Sequence, residues 1–491
     1  MSLARKAVKG ALWNVGSNVG ARIVGLIGTL VITRFLDPDV MGEVAAAAIL
    51  ITTAALVTNL GIGQYYIVKG DEDEVAFHMT AITVITTVLS LIGVFLLADW
   101  LGEVFNLPSM GQYIPGMLAF GALQRLGAVP QKVLVKNLQF RRIGAAAAIG
   151  ELLYVIISVT LAMDGWGGHA MVIGNIVQAG VTTLIFATGV SWRAWLLPCK
   201  LRWERFTDMM SFGVPIGTSA TVAYISTHWD NLIFSRYFGP TQMGLYNLAY
   251  RLTSIPGEQI GEHAGAVILP SLARIPDQQR RKDALVRAVA ITTLLVTPMA
   301  IGLAAVADSL VTALLNETWQ GIAPLIAILS VISIFQPLIW NINSYWTAES
   351  RTNLLMMIQL LTIALLTVSI IVFAPYGPLP VCFAVGGSFA ISALVSIGSL
   401  VYGDKIPWRR FLVPLIQPSI ACIPMVAGVF GVRHGLLFIG VDIPLLSLIL
   451  EILVGGAVFV PAGFVFVPRT SRDFVRLVKN ALSRRSGSDD D

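Results

Sequence analysis

Apolar runs of about twenty residues, separated by short charged or Pro/Gly-rich stretches, follow one another along almost the whole chain. A helix that crosses the hydrocarbon core of a bilayer needs roughly 20 apolar residues. Fourteen such runs are present, near 13–33, 44–66, 77–97, 112–130, 143–163, 169–190, 209–233, 244–268, 285–308, 321–345, 352–374, 379–402, 411–432 and 441–467. The pattern predicts an all-α integral membrane protein of about 14 transmembrane helices.

A phrase recurs within this pattern. Thr33-Arg-Phe-Leu-Asp-Pro-Asp-Val-Met-Gly42 closes the first run, and Ser235-Arg-Tyr-Phe-Gly-Pro-Thr-Gln-Met-Gly244 closes the seventh, 202 residues on. Six intervening spans put the two copies in the same orientation, which predicts a pseudo-twofold axis along the membrane normal. The expected division is an N-lobe at 1–205, a C-lobe at 206–405, two added helices at 406–468 and a cytoplasmic basic and acidic tail at 469–491.

Composition supports the membrane setting. The chain is 56% hydrophobic and only 12% charged, about half the charge of an ordinary soluble domain. Of its 33 lysines and arginines, 27 fall in alternate loops that would share one membrane face. By the positive-inside rule both termini are then cytoplasmic. The net charge of +5 is a topology signal, with no basic and aromatic run of the kind that tracks nucleic acid. Trp100, Trp166, Trp192, Trp203, Trp319 and Trp408 fall at span ends, where an interfacial belt is expected.

Several polar side chains interrupt the apolar runs, and lipid penalises them unless they face protein or water. Asn18, Arg22 and Thr29 share an arc of the first helix at about 100° per residue, and Tyr224, His228 and Asn231 share one on the seventh. The 202-residue shift takes Arg22 onto Tyr224 and Thr29 onto Asn231. In the eighth run Asn247, Arg251, Glu258 and Glu262 lie on one face, with Pro256 able to kink the helix between them. Arg125, in the fourth run, either binds an anion or snorkels towards the cytoplasmic surface. Arg22 either binds an anion or pairs within the bundle through Asn18 or Glu151. The repeated Arg34 and Arg236 read as structural cations at helix C-termini. The basic stretch 278–287 is a positive-inside loop with a general attraction to anionic lipid headgroups.

No catalytic constellation is present: there is no P-loop, no HExxH and no serine elbow, so neither an enzyme nor ATP hydrolysis is expected. Cys199, Cys382 and Cys422 lack metal-ligand spacing, so neither a disulfide nor zinc is expected. The final residues, ending at Asp491, read as a solvated end.

The chain resembles the Wzx-type polysaccharide flippases of the superfamily that also holds the multidrug and toxin extrusion (MATE) transporters and the lipid II flippase. The resemblance rests on Trp13, on Thr33-Arg-Phe-Leu-Asp-Pro with Gly42, on Asn59-Leu-Gly-Ile-Gly63 and on Lys136-Asn-Leu-Gln-Phe-Arg-Arg142. In the second half it rests on Phe212-Gly-Val-Pro215, Gly244-Leu-Tyr-Asn-Leu-Ala-Tyr-Arg-Leu252, Ile255-Pro256, Pro270-Ser-Leu272, Trp319 and Ala323-Pro324.

The resemblance implies two six-helix lobes around a cavity that opens alternately to either side, moving an undecaprenyl-diphosphate-linked oligosaccharide outward for exopolysaccharide, capsule or O-antigen synthesis. It implies diphosphate contacts at Arg22 and Arg251; Arg125 is a third candidate cation from its place inside an apolar run. Asn18, Thr29, Tyr224, His228, Asn231, Asn247, Glu258 and Glu262 would line the cavity for sugar or coupling. No cofactor is implied, and the coupling ion stays open between a proton and sodium. Membrane lipids and the polysaccharide polymerase or export machinery are the expected partners, in a bacterial cytoplasmic (inner) membrane. The alternative is a MATE-like cation-coupled multidrug antiporter. Against it, the first four runs hold no mid-membrane carboxylate.

Overall fold

In the structure, a computed structural model, the backbone is described for 3–69, 73–196, 199–273, 275–440 and 443–486. Side chains are described except at 1–15, 18, 69–73, 194, 197–198, 255–256, 258–260, 262–271, 273–274, 352, 441–442, 478 and 480–491. The chain divides into two compact units, 1–247 and 248–491.

The first unit opens with α1 (Leu3–Ile32), α2 (Pro38–Val57), α3 (Ile62–Lys69), α4 (Asp73–Val104), α5 (Met110–Lys136), α6 (Phe140–Met163), α7 (Gly168–Ala187) and the short α8 (Arg193–Leu196). It continues into α9 (Trp203–Ala273), which is two helices joined at Gly239. Gly239 has φ 75° and ψ −177°, a conformation that glycine adopts without the steric penalty a Cβ imposes. The chain turns there without losing helix on either side. Within this unit α1 packs along α6, α6 and α5 pack on α7, and α4 and α2 pack on α5. Small residues permit the close approaches that membrane helices use in place of hydrophobic burial. A Cβ on Gly174 of α7, for example, would lie 3.0 Å from the Tyr154 ring of α6.

The second unit holds the end of α9, then α10 (Gln278–Ala305), α11 (Ala307–Leu314), α12 (Ala323–Ile332), α13 (Gln336–Ala348), α14 (Thr352–Phe373), α15 (Pro378–Asp404), α16 (Arg409–Ile439), α17 (Pro444–Phe466) and α18 (Pro468–Ser486). The run expected at 321–345 is α12 and α13 joined by a 3-10 turn at Ser333–Phe335, where Pro337 follows in the first turn of α13. Proline lacks the N–H that an uninterrupted α-helix needs. The core of this unit gathers Tyr345, Trp346 and Phe411 with Leu285, Leu338 and Leu400.

Among the described residues, ten helical segments are long and apolar enough to cross a membrane. The four expected runs outside that set, 13–33, 112–130, 209–233 and 244–268, lie in α1, α5 and the two halves of α9. They are the same four runs that carry Arg22, Arg125, His228 and Arg251. Apolar side chains cover the outside: Leu96 is 74% exposed and Phe438 94% exposed, as a lipid-facing surface requires.

One expectation changes and two are resolved more finely. Trp100, Trp166, Trp192, Trp203 and Trp408 are exposed, but Trp319 is completely buried and serves the core. The segment after 468, expected as a tail, forms the amphipathic helix α18; the final residues 487–491 lie outside the described backbone. Arg125 does not snorkel, being only 7% exposed.

Candidate functional site

The helix 203–238 carries a buried polar group near its end, Asp230 with Asn231. Asn231 Nδ2 donates to Asp230 Oδ1 at 3.0 Å, and Tyr246 OH donates to Asp230 Oδ2 at 2.8 Å. Asn247 Nδ2 donates to Asn231 Oδ1 at 3.0 Å. The turn at Gly239 folds the helix 240–273 back, so residues sixteen positions apart meet in two pairs. Among the described residues no lysine or arginine forms an ion pair with Asp230. A carboxylate in that setting has neutral donors and a desolvation cost but no permanent countercharge.

One turn before Asp230, Tyr224 and His228 stack with ring centroids 4.1 Å apart and planes within 9°. His228 Nδ1 lies 2.8 Å from Thr227 Oγ1. Trp229 Nε1 donates to Thr53 Oγ1 of α2 at 3.2 Å, tying the polar segment to α2. Thr29 is buried and its hydroxyl donates to the Gly25 carbonyl of its own helix at 2.8 Å. That bond satisfies the hydroxyl locally.

Arg22 is exposed on α1. Three residues on, Gly25 leaves room for Glu151 of α6, whose Cδ would sit 2.9 Å from a Cβ at position 25. Glu151 Oε2 accepts from Gln178 Nε2 of α7 at 2.7 Å. The polar face of α1 therefore borders an acid and an amide from α6 and α7. Arg125 lies elsewhere in the unit: its Nε donates to Thr87 Oγ1 and its Nη2 to the Thr58 carbonyl, each at 3.3 Å. Thr58 caps α2, so the guanidinium meets the negative end of that helix. It borders a cavity of about 190 Å³ lined mainly by α4 and α5 with Trp195. Arg251 is exposed on the second half of α9, one turn beyond Asn247. The side chains of Asn18, Glu258 and Glu262 lie outside the described residues.

The structure thus joins Asn231 with Asn247 and Tyr224 with His228, and holds Arg125 apart from both groups within the first unit. Sequence reading missed Asp230, which sits about 100° from the Asn231 stripe. Its signal was the charge itself, an acid inside an apolar run.

At both ends of α2 the backbone of the unit is in unusually close contact. A Cβ on Gly42 would fall 2.8 Å from Gly244 N, and one on Gly244 would fall 2.6 Å from the Pro38 carbonyl carbon. Beyond the other end of α2, a Cβ on Gly61 would lie 2.9 Å from the Gly213 carbonyl carbon, and one on Gly217 2.8 Å from Gly61 N. The repeated Arg236 donates to the Val104 carbonyl at 2.7 Å, at the end of α4.

Glu74, His78 and Cys199 form the described group with metal-donor chemistry, their donor atoms lying within 4.8 Å. Yet His78 Nε2 accepts from Arg202 N–H at 2.9 Å and Nδ1 donates to the Glu74 carbonyl at 2.8 Å. With both ring nitrogens used by backbone, the residues fit a pin that holds the linker on α4 better than a metal centre.

The family described as polysaccharide biosynthesis protein matches residues 31–324. The chain is 24% identical to the lipopolysaccharide biosynthesis protein WzxC of Escherichia coli over 72% of each chain. It is 24% identical to the succinoglycan biosynthesis transport protein ExoT of Rhizobium meliloti, over 67% of this chain and 66% of that one. The solved structure of the lipid II flippase MurJ in its inward closed conformation superposes with a TM-score of 0.75 at 15% identity, covering 95% of this chain and all of that one. At that identity the likeness speaks to the fold. A multi-pass helical membrane protein with this fold and this family match is a transporter and not an enzyme: the chain belongs to the polysaccharide biosynthesis family of Wzx-like flippases.

Proposed function

We propose that the protein moves an undecaprenyl-diphosphate-linked oligosaccharide outward across a bacterial cytoplasmic membrane, for exopolysaccharide, capsule or O-antigen synthesis. In this reading α1, α5 and both halves of α9 join the ten apolar helices as spans, giving fourteen. Two lobes, 1–205 and 206–405, rock against each other about the pseudo-twofold axis, with 406–468 alongside and both termini cytoplasmic. The polar faces that Arg22, Arg125, His228 and Arg251 give these four helices would then line a wet path rather than face lipid.

Each candidate residue has a task in this scheme. The diphosphate binds cations, with Arg22 first and Arg251 second; Arg125, held on the Thr58 carbonyl, is the third and remoter one. The amide and aromatic groups of Asn18, Tyr224, His228 and Asn247 serve the sugar hydroxyls, and buried Thr29 and Asn231 stand behind them. Asp230, a buried carboxylate with no arginine or lysine partner among the described residues, carries the coupling proton or sodium ion, and Glu258 and Glu262 are the further acids of the path.

The observation that carries the reading is the pair of glycine contacts at the two ends of α2. Gly42 with Gly244 and Gly61 with Gly213 are close enough to exclude any side chain, and the polar segment around Asp230 lies on the helix between them. Alternating access needs two such seams, each separable in turn. The test is genetic. A strain lacking the protein should accumulate lipid-linked repeat units on the cytoplasmic side and make no polymer. Wild type should restore polymer and Arg22→Ala should not, at equal membrane abundance. Normal polymer in the deleted strain, together with new sensitivity to cationic dyes, would favour a drug antiporter instead.

A further inference from the structure

At one end of the second unit, α10, α16 and α18 enclose an open pocket of about 350 Å³. Arg287, Arg410 and Arg469 line it, one from each helix, together with Asp283 and Asp473. Arg410 Nη1 lies 2.6 Å from Asp283 Oδ1, and Arg287 Nε lies 3.5 Å from Asp473 Oδ2. Two arginines are therefore matched by two acids, and Arg469 is left over. Its side chain is exposed and has no ion pair or hydrogen bond among the described residues. The pocket carries one net positive charge, and the apolar Val286 and Ile291 of α10 form its wall.

The surroundings set the depth of the pocket relative to a bilayer. Trp408, 59% exposed, stands two residues before Arg410, and exposed tryptophan marks the membrane interface. Phe464, Val465 and Phe466 are exposed at the end of α17, just before Arg469. Along α18, Arg472, Arg476 and Lys479 share one arc, while Val475 and Leu477, both exposed, and half-buried Phe474 lie outside it. A basic amphipathic helix with uncovered apolar residues lies in the headgroup layer of a membrane. The 27 cytoplasmic basic residues place this end of the unit on the cytoplasmic side.

We propose that this pocket is a binding site for the phosphodiester headgroup of an anionic phospholipid of the cytoplasmic leaflet. Arg469 supplies the unmatched charge, and the acyl chains run down the exposed apolar faces of α16 and α17. One phosphodiester carries the single negative charge that neutralises the group. The occupant is a resident lipid and not the transported one, so the proposal stands independently of the substrate.

The test uses the purified full-length protein, partly delipidated and offered phosphatidylglycerol or phosphatidylcholine, with bound lipid read by native mass spectrometry. Wild type should retain phosphatidylglycerol in preference. Arg469→Gln, which breaks no contact within the fold, should cut that preference roughly fivefold, the effect of about one cationic residue at an anionic lipid surface. Asp473→Asn should raise it, because it removes a competing acid; a merely structural role would lower binding in both variants. Equal retention of the two lipids, or an unchanged preference in Arg469→Gln, would overturn the proposal. Displacement of the bound lipid by excess inorganic phosphate would assign a free-anion site instead. Stronger competition by undecaprenyl diphosphate would assign a substrate entry site, and either result overturns the phospholipid assignment.

Discussion

Gly42 and Gly244, the final residues of the two copies of the repeated phrase, pack against each other's helices. A Cβ at position 42 would sit 2.8 Å from Gly244 N and 3.3 Å from its Cα, and a Cβ at 244 would sit 3.0 Å from Pro38 Cα. The neighbours are backbone, which cannot step aside as a flexible side chain can. Substitution by alanine at either position should destabilise the protein by about 1–3 kcal/mol, the usual cost of overpacking. Gly431→Ala is the control. Nothing lies within 4 Å of its added methyl, and glycine to alanine inside a helix is worth about 0.5–1 kcal/mol of stabilisation. Thermal midpoints in detergent should move in opposite directions; a Gly244→Ala protein as stable as wild type would remove the seam from the account.

Asp230→Asn keeps an acceptor oxygen for Asn231 Nδ2 and turns its amide nitrogen to Tyr246 OH, which can accept as well as donate, but it has no charge to neutralise. The variant should fold normally and lose the response of transport to an imposed proton or sodium gradient. Measuring transport under each gradient in turn identifies the ion. A full gradient response in Asp230→Asn would show that coupling lies elsewhere.

Arg433 of α16 holds Glu451 of α17 through Nε at 3.0 Å and Nη2 at 3.2 Å, and Glu451 is completely buried and also accepts from Ser309 Oγ at 2.8 Å. The same guanidinium donates to the Ala305 carbonyl at 3.0 Å. These bonds fasten the last two apolar spans to α10 and α11. Removing either partner strands the other, at a cost of about 3–5 kcal/mol. Glu451→Leu should thus lower the thermal midpoint sharply, while Arg433→Leu combined with Glu451→Leu recovers most of the loss. A double variant as unstable as the sum of the two singles would mean that the pair is not coupled.

Burial, and then the Glu74 carboxylate, push the Cys199 thiol above its ordinary value. The thiolate is the reactive form, so Cys199 should label slowly with maleimide at neutral pH and faster as pH rises. Labelling at neutral pH as fast as that of a free peptide thiol would contradict the packing of the linker against His78.

Much of this architecture was legible in the sequence because lipid imposes a coarse rule on composition and length. The ten apolar spans, the membrane setting and the flippase family follow from runs, charge asymmetry and a few motifs. The repeat was legible too, and Pro38 and Pro240 with Gly42 and Gly244 show what that spacing is for. Pairings between distant helices were not. Nothing local to Glu451 announces Arg433, and Asp230 finds Tyr246 only because Gly239 turns the chain between them. Trp319 misled for a related reason: a tryptophan at a span end reads as an anchor whether it points outward or inward. Arg125 belongs to the same class, since its partner is a backbone carbonyl, which has no sequence signature.

The central claim is that the polar faces of α1, α5 and the two halves of α9 bind a lipid-linked diphosphate during its passage. It is tested most directly by reconstituting wild-type and Arg22→Ala protein in liposomes and following the outward movement of the native lipid-linked oligosaccharide. Losing a charge-assisted phosphate contact, worth about 1.5–3 kcal/mol, should slow the initial rate by roughly tenfold or more, with equal protein incorporation. Equal rates for the two proteins would contradict the account.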